Sequence, residues 1–164
     1  MIELLDTKHN RNAFDCGNEV LNNYLKYQAR QDMKRKLSAC FVLPANNQNL
    51  IQGYYTLSNN SITLSSFPDG IRKKLPVSYV SIPTTLLGRL AIDKAHQGIG
   101  LGKILLIDAL KRSYELSASI GSYAVFVDPV DGDAERFYEK YDFIRLPGSG
   151  KMFIPIKTLK PLFS

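Results

Sequence analysis

The feature that most limits the fold of this chain lies between residues 84 and 128. Residues 84–92 form an apolar run that ends in the glycine-spaced turn Gln97-Gly98-Ile99-Gly100-Leu101-Gly102-Lys103. A segment with helical periodicity follows to about residue 119, carrying Ile104, Leu105, Ile107, Ala109 and Leu110. Residues 122–128 then read as a second, buried strand, so the unit is βαβ and its strands are expected to be parallel. A strand that breaks into a glycine turn and a helix gathers free backbone N–H groups and the positive end of the helix dipole at one point. That point attracts phosphate, and Gly98, Gly100 and Gly102 let a ligand come close to the backbone.

Two familiar phosphate turns do not fit. A P-loop needs a hydroxyl after its Gly-Lys pair, and here Gly102-Lys103 is followed by Ile104. The dinucleotide fingerprint spaces its glycines differently and needs an acid after the next strand. Spacing alone leaves open a tight strand-to-helix turn with no ligand.

Upstream of the turn, residues 2–5 are a short apolar run, and residues 14–18 read as a turn with capping residues. From Glu19 the pattern is helical, with Leu21, Tyr24, Leu25, Gln28, Ala29 and Met33 on one face of a helix of about five turns. Residues 38–43 and 50–58 read as a hairpin around the polar turn 44–49, and Gly53 inside the second strand signals a bulge or close packing. Residues 65–83, with four prolines and glycines among them, form an irregular loop. Downstream of the βαβ unit, residues 131–140 read as a helix with Ala134, Phe137 and Tyr138 facing inward. Residues 143–146 and 152–154 read as final strands. The whole is α+β, a mixed central sheet flanked by helices with a βαβ core, in a single domain over residues 1–164.

Charge narrows the partners. The formal net charge is +6, and its positive part is clustered: Lys26, Arg30, Lys34, Arg35 and Lys36 face the single acid Asp32, and Arg72, Lys73 and Lys74 form a second knot. Such clusters are either solvated faces or the footprint of a polyanion such as nucleic acid. No apolar run is long enough for a membrane span, the start of the chain lacks the regions of a signal peptide, and the cytoplasm is the expected location. Cys16 and Cys40 provide neither a disulfide framework nor a zinc site, and no metal is expected.

Gln97-Gly98-Ile99-Gly100-Leu101-Gly102 resembles the Gln/Arg-x-x-Gly-x-Gly/Ala signature of the GNAT acetyltransferases. Asp131-Gly132-Asp133-Ala134-Glu135-Arg136-Phe137-Tyr138-Glu139-Lys140-Tyr141-Asp142-Phe143 is similar to a second landmark of that family. The resemblance implies acetyl-CoA as co-substrate. It places the backbone of Leu90, Ala91 and Ile92 on the pantetheine and acetyl carbonyl, Gln97, Gly98, Ile99, Gly100, Leu101, Gly102 and Lys103 on the pyrophosphate, and Asp131 near the CoA arm. Two positions depart from the pattern: Ile99 stands where a basic residue is frequent, with Lys103 as the substitute charge, and Asp142 replaces a glycine, which suits a left-handed helix end better than most residues do.

Acetyl transfer to an amine needs a proton for the departing thiolate, and Tyr138 is the candidate donor. His9 and His96 do not stand out as a general base; water-mediated deprotonation, or an amine of low intrinsic pKa such as the α-amino group of an aminoacyl ester, would need none. Phe14-x-Cys16-Gly17, Leu21-x-x-Tyr24-Leu25, Ala29-Arg30-Gln31-Asp32, Gly53-Tyr54-Tyr55-Thr56-Leu57-Ser58 and Leu87-Gly88-Arg89-Leu90-Ala91-Ile92-Asp93 resemble the GNAT toxins of bacterial toxin–antitoxin pairs. That resemblance implies aminoacyl-tRNA as substrate, blocked translation and a small DNA-binding antitoxin as partner. Arg30, Lys34, Arg35, Lys36, Arg72, Lys73, Lys74 and Arg89 are the candidate tRNA contacts. A GNAT enzyme for a small amine or a protein amino group, and a non-catalytic CoA- or nucleic-acid-binding protein, are the alternatives. A homodimer stays open.

Overall fold

The parallel pair expected of the βαβ unit is present. In the computed structural model, which describes residues 1–45 and 49–164, Thr85 pairs with Val125 and Leu86 with Phe126 in parallel register. The centre of the expected hairpin turn, Asn46, Asn47 and Gln48, lies outside the described residues. Seven strands form one mixed sheet in the order β1-β2-β3-β4-β5-β7-β6. They are β1 (Glu3–Leu4), β2 (Ala39–Pro44), β3 (Ile51–Thr63), β4 (Ser81–Ile92), β5 (Ala124–Val127), β6 (Ile144–Arg145) and β7 (Met152–Pro155).

The chain divides into two compact units. One comprises residues 1–58 and 87–109, the other residues 59–86 and 110–164. In the first, β1 and β2 are antiparallel, as are β2 and β3. Asn18 caps the helical segment by accepting from the Leu21 amide at 3.2 Å. That segment is not one regular α-helix. It runs as α1 (Glu19–Asn23), a π-helical turn (Tyr24–Gln28) and α2 (Ala29–Lys34), and Lys36 ends it at φ 61°. Of the face read from the sequence, Tyr24, Leu25 and Ala29 pack with Phe14, Cys40, Val42, Tyr54 and Ala91 in one core cluster and Leu21 and Met33 are partly buried against it, but Gln28, in the π-helical turn, is exposed.

Gly53 explains how β3 meets the glycine turn. A Cβ at this position would lie 2.8 Å from Ile92 Cδ1 and from Leu105 Cδ1, and 3.0 Å from the Ala91 carbonyl oxygen. No side chain fits there, so β3 can pack against the end of β4 and the start of the helix beyond it. The register between β2 and β3 also shifts beside it, from Leu43↔Gly53 to Pro44↔Ile51. Both readings of that glycine therefore hold.

The crossover helix α4 (Leu101–Leu116) begins in the first unit and ends in the second, where α5 (Gly132–Lys140) follows β5. β7 pairs antiparallel with β5 and β6. The core here is aromatic, with Phe67 edge-on to Phe126 and Phe153, which stack on each other at 5.1 Å. The loop read over residues 65–83 is more ordered than its composition suggests. It holds a short 3-10 turn (Leu64–Ser66) and α3 (Asp69–Arg72), tied to the strand that follows by Leu64 N donating to Val80 O at 2.9 Å. The closing 3-10 turn (Ile156–Leu159) and α6 (Lys160–Phe163) have no counterpart in the sequence reading, because a four-residue helix is too short to show a period.

Candidate active site

The glycine turn is built in the first unit, and its shape is held by side chains rather than left to the glycines alone. Asp93, the residue after β4, accepts at Oδ1 from the Asp15 amide (3.0 Å) and at Oδ2 from the Ala95 amide (3.0 Å). The Lys94 amide donates to the Asp15 carbonyl at 2.8 Å. Gln97 closes the turn: its Nε2 donates to the Ile92 carbonyl at 2.9 Å and to the Cys16 carbonyl at 3.2 Å. Gln97 thus braces the turn through its side chain, and any phosphate contact it makes falls to its backbone. Asp15 and Cys16 were not singled out from the sequence as part of this turn, since only packing brings the N-terminal loop to it.

Gly98 and Gly100 have φ of 80° and 87°, the left-handed region that glycine enters without strain. A Cβ at either would meet nothing within 4 Å, so the backbone is open on that side. Gly102 lies within α4 and has no positive φ. The amides of Leu101, Gly102 and Lys103 open a helix of sixteen residues and have no partner one turn back within it. They present donors and the positive helix end together, the chemistry a pyrophosphate requires. Ile99 and Lys103 are exposed. His96, with Nδ1 3.4 Å from Asp93 Oδ2, belongs to the scaffold of the turn. The last register pair of β4 with β5 is Leu86↔Phe126, and β4 continues through Leu90, Ala91 and Ile92.

Tyr138 and Asp131 lie in the second unit. Asp131 is the N-cap of α5, its Oδ1 accepting from the Ala134 amide at 2.8 Å. Tyr138 is the buried residue of α5, packed against Phe137 and Phe143. Its backbone carbonyl accepts from Tyr141 N and Phe143 N, and the turn between them is made by Asp142 at φ 70°, the left-handed end expected of that residue. Among the described residues, no group hydrogen-bonds the Tyr138 hydroxyl. Burial alone pushes its pKa well above the ordinary phenol value. The phenol therefore stays protonated throughout the neutral range, the state a proton donor needs.

The basic residues fall in both units. Lys34, Arg35 and Lys36 are exposed at the end of α2, and Arg30 is half-buried. Arg72, Lys73 and Lys74 are exposed at the end of α3, where Arg72 is already paired with Asp69. Asp32 does not belong to the charged surface. It is buried and accepts from the Tyr24 hydroxyl at 2.8 Å. Arg89, on β4, lies over the Tyr24 ring with Cζ 3.4 Å from its centroid.

The profile of the acetyltransferase (GNAT) domain family matches residues 71–153, which contain the turn, α4 and α5. The chain belongs to the GNAT acetyltransferase family. A tRNA-acetylating toxin of Mycobacterium tuberculosis is 34% identical over 131 residues, covering 80% of this chain and 76% of that protein. The solved structure of AtaT complexed with acetyl-methionyl-tRNAfMet superposes with a TM-score of 0.92 at 32% identity, over 100% of this chain and 99% of the other. A mutant AtaT toxin bound to the C-terminus of the antitoxin AtaR and acetyl-CoA superposes with a TM-score of 0.85 at 30% identity, over 100% and 98%. As a GNAT acetyltransferase, this chain has the mixed seven-stranded sheet of those structures. Among the described residues, no helix is long and apolar enough to cross a membrane.

Proposed function

We propose that this acetyltransferase takes its acetyl group from acetyl-CoA and transfers it to the α-amino group of aminoacyl-tRNA, blocking translation, with residues 1–164 working as one catalytic domain. The observation that carries the reading is the whole-chain likeness to a toxin solved with an acetylated aminoacyl-tRNA. Unpaired surface cations support it: Lys34, Arg35, Lys36, Lys73 and Lys74 have no ion-pair partner among the described residues. Such charges suit phosphates better than they suit a small amine.

In this reading the amides of residues 97–103 take the pyrophosphate, and the backbone of Leu90–Ile92 takes the pantetheine. A backbone N–H there polarises the thioester carbonyl. The amine lone pair attacks that carbon, the C–N bond forms as the C–S bond breaks, the Tyr138 hydroxyl gives its proton to the departing sulfur, and the proton shed by the new amide nitrogen passes to water, from which Tyr138 is reprotonated. An α-amino group has a pKa near the neutral range, roughly 8 in model compounds. A useful fraction is therefore unprotonated without a strong base. We further propose a cytoplasmic location and a DNA-binding antitoxin as the neutralising partner.

The test is to incubate the protein with labelled acetyl-CoA and total charged tRNA and identify the acetylated amino acid. Reversing the charges of Lys34, Arg35 and Lys36 to Glu is expected to abolish tRNA acetylation while acetyl-CoA binding persists. Turnover of free amines or protein amino groups without RNA, and none of charged tRNA, moves the assignment to the alternative acceptor.

A further inference from the structure

Arg89 carries a charge that its surroundings leave unanswered. It is half-buried, and among the described residues no carboxylate stands within ion-pair distance of it. With Cζ 3.4 Å from the Tyr24 centroid, the guanidinium is at van der Waals contact with the ring. A planar group so close must lie roughly flat on it, and its N–H donors then fan outward in their own plane. Taking a cation partly out of water without a counter-charge is unfavourable, so the arrangement suits an oxyanion arriving from outside.

The platform under Arg89 is itself fixed. Tyr24 is buried, its ring stacks with Tyr54 at 6.4 Å and 15°, and its hydroxyl donates to the buried Asp32 at 2.8 Å. Tyr24 opens the π-helical turn, and Asp32 lies eight residues on, beyond that turn. In plain α-helix, residues so spaced are about 12 Å apart along the axis and about 80° apart around it. The wider π turn changes both, and turns of this kind recur at functional sites.

We propose that Tyr24 and Asp32 are positioning residues that hold the Arg89 guanidinium ready for a phosphodiester of the acceptor RNA near its 3′ end. The proposal rests on the aminoacyl-tRNA reading. The phosphate belongs to the acceptor and not to CoA because of where Arg89 stands. It directly precedes the residues assigned to pantetheine, and Asp93, where the turn starts, lies four residues on, about 13 Å at strand rise. A carboxylate on the amino acid would offer the same oxyanion chemistry, so the probe must carry no amino acid.

The experiment measures binding of a labelled, uncharged RNA hairpin with a single-stranded CCA end to the full chain over a range of salt. Arg89→Gln is expected to weaken binding about tenfold and to lower the slope of log affinity against log salt by about 0.7, one single-strand phosphate contact. Arg89→Lys keeps the charge but not the flat fork, and is not expected to restore affinity. Asp32→Asn is the decisive variant. Losing a negative charge should tighten RNA binding if the effect were general electrostatics, whereas loss of positioning weakens it. Tyr24→Phe keeps the ring but loses its bond to Asp32, so it is expected to share the loss seen in Asp32→Asn, and Tyr24→Leu, which removes the platform itself, loses more. Retained acetyl-CoA binding certifies each variant as folded, and if Tyr24→Leu does not fold, Asp32→Asn and Arg89→Gln carry the test. Unchanged or tighter binding by Asp32→Asn, or an unchanged salt slope in Arg89→Gln, overturns the proposal. A wild-type protein that binds the hairpin with an Arg89-dependent slope yet acetylates no charged tRNA overturns the acetylation reading alone. One that acetylates charged tRNA with an Arg89-independent slope overturns this proposal alone.

Discussion

Tyr24 and Tyr54 in the first unit and Tyr138 in the second are all buried, but their hydroxyls end in different company. Tyr24 donates to Asp32 and Tyr54 to the Leu21 carbonyl, both at 2.8 Å. Tyr138, at 8% exposure, has no partner for its hydroxyl among the described residues. A buried phenol ordinarily finds a partner, because an unmade hydrogen bond costs more than a made one returns. The first two hydroxyls are accounted for by the fold. The third is left without a partner by the fold, the state that the proton-donor role proposed for it needs.

The sharpest way to break that contrast is Tyr138→Phe. Removing an uncommitted hydroxyl leaves no orphaned group, so the melting temperature should stay within about a degree of wild type. Acetyl transfer should fall by roughly 10²-fold or more, as for the loss of a positioned general acid. Undiminished turnover in a single-turnover assay would remove Tyr138 from the chemistry. Because burial raises its pKa, the rate should also stay flat from pH 8 to roughly 10 as far as this group is concerned, and a descending limb near pH 9 would argue against it.

Alkaline stability tests the partnered side. Burial, with the Asp32 hydrogen bond second, pushes the Tyr24 phenol up to about 12, and burial pushes the Cys40 thiol in the same core up to about 12. Both groups bind their protons more tightly when folded, so their stabilisation is intact below the unfolded values near 9 and 10. It is lost progressively as pH rises toward 12. Each contributes a slope of at most about 1.4 kcal/mol per pH unit in that window. Denaturant melts should show stability falling from about pH 9, and Cys40→Ala should flatten the first part of the decline.

The smallest effect is expected for Tyr54→Phe. It removes one of two donors to the Leu21 carbonyl, the Tyr24 amide remaining, and should cost about 1 kcal/mol or less in urea melts while kcat stays at the wild-type value. A large loss of kcat with unchanged stability would erase the distinction between the two regions.

Much of the fold was legible because its signals are local. Periodicity marked the helical segment from Glu19, the crossover helix and α5, and the order strand–turn–helix–strand implied the parallel pairing seen at Thr85↔Val125. Asp142 at φ 70° was readable from residue type, whereas which of the turn's glycines are left-handed, Gly98 and Gly100 but not Gly102, was not. Other features could not be read this way. A π-helical turn breaks no apolar pattern, since Tyr24 and Leu25 remain on the buried face. Asp32 looked like one acid among bases because nothing in its neighbourhood announces a buried hydroxyl partner. The brace from Asp15 and Cys16 to Asp93 and Gln97 joins segments about eighty residues apart.

The sequence alone determined the longer elements, the glycine turn and the chemical types gathered in it, because covalent geometry and short-range periodicity dictate those. Only the tertiary structure decided which polar atoms were already spent. Gln97 is committed to carbonyls, Asp131 to a helix cap and Asp32 to a phenol, while Arg89 and the Tyr138 hydroxyl are left without such a partner among the described residues. Residue type says what a side chain can bond. Packing of segments distant in the chain says what it has bonded, and for a catalytic or binding group the difference between the two is its function.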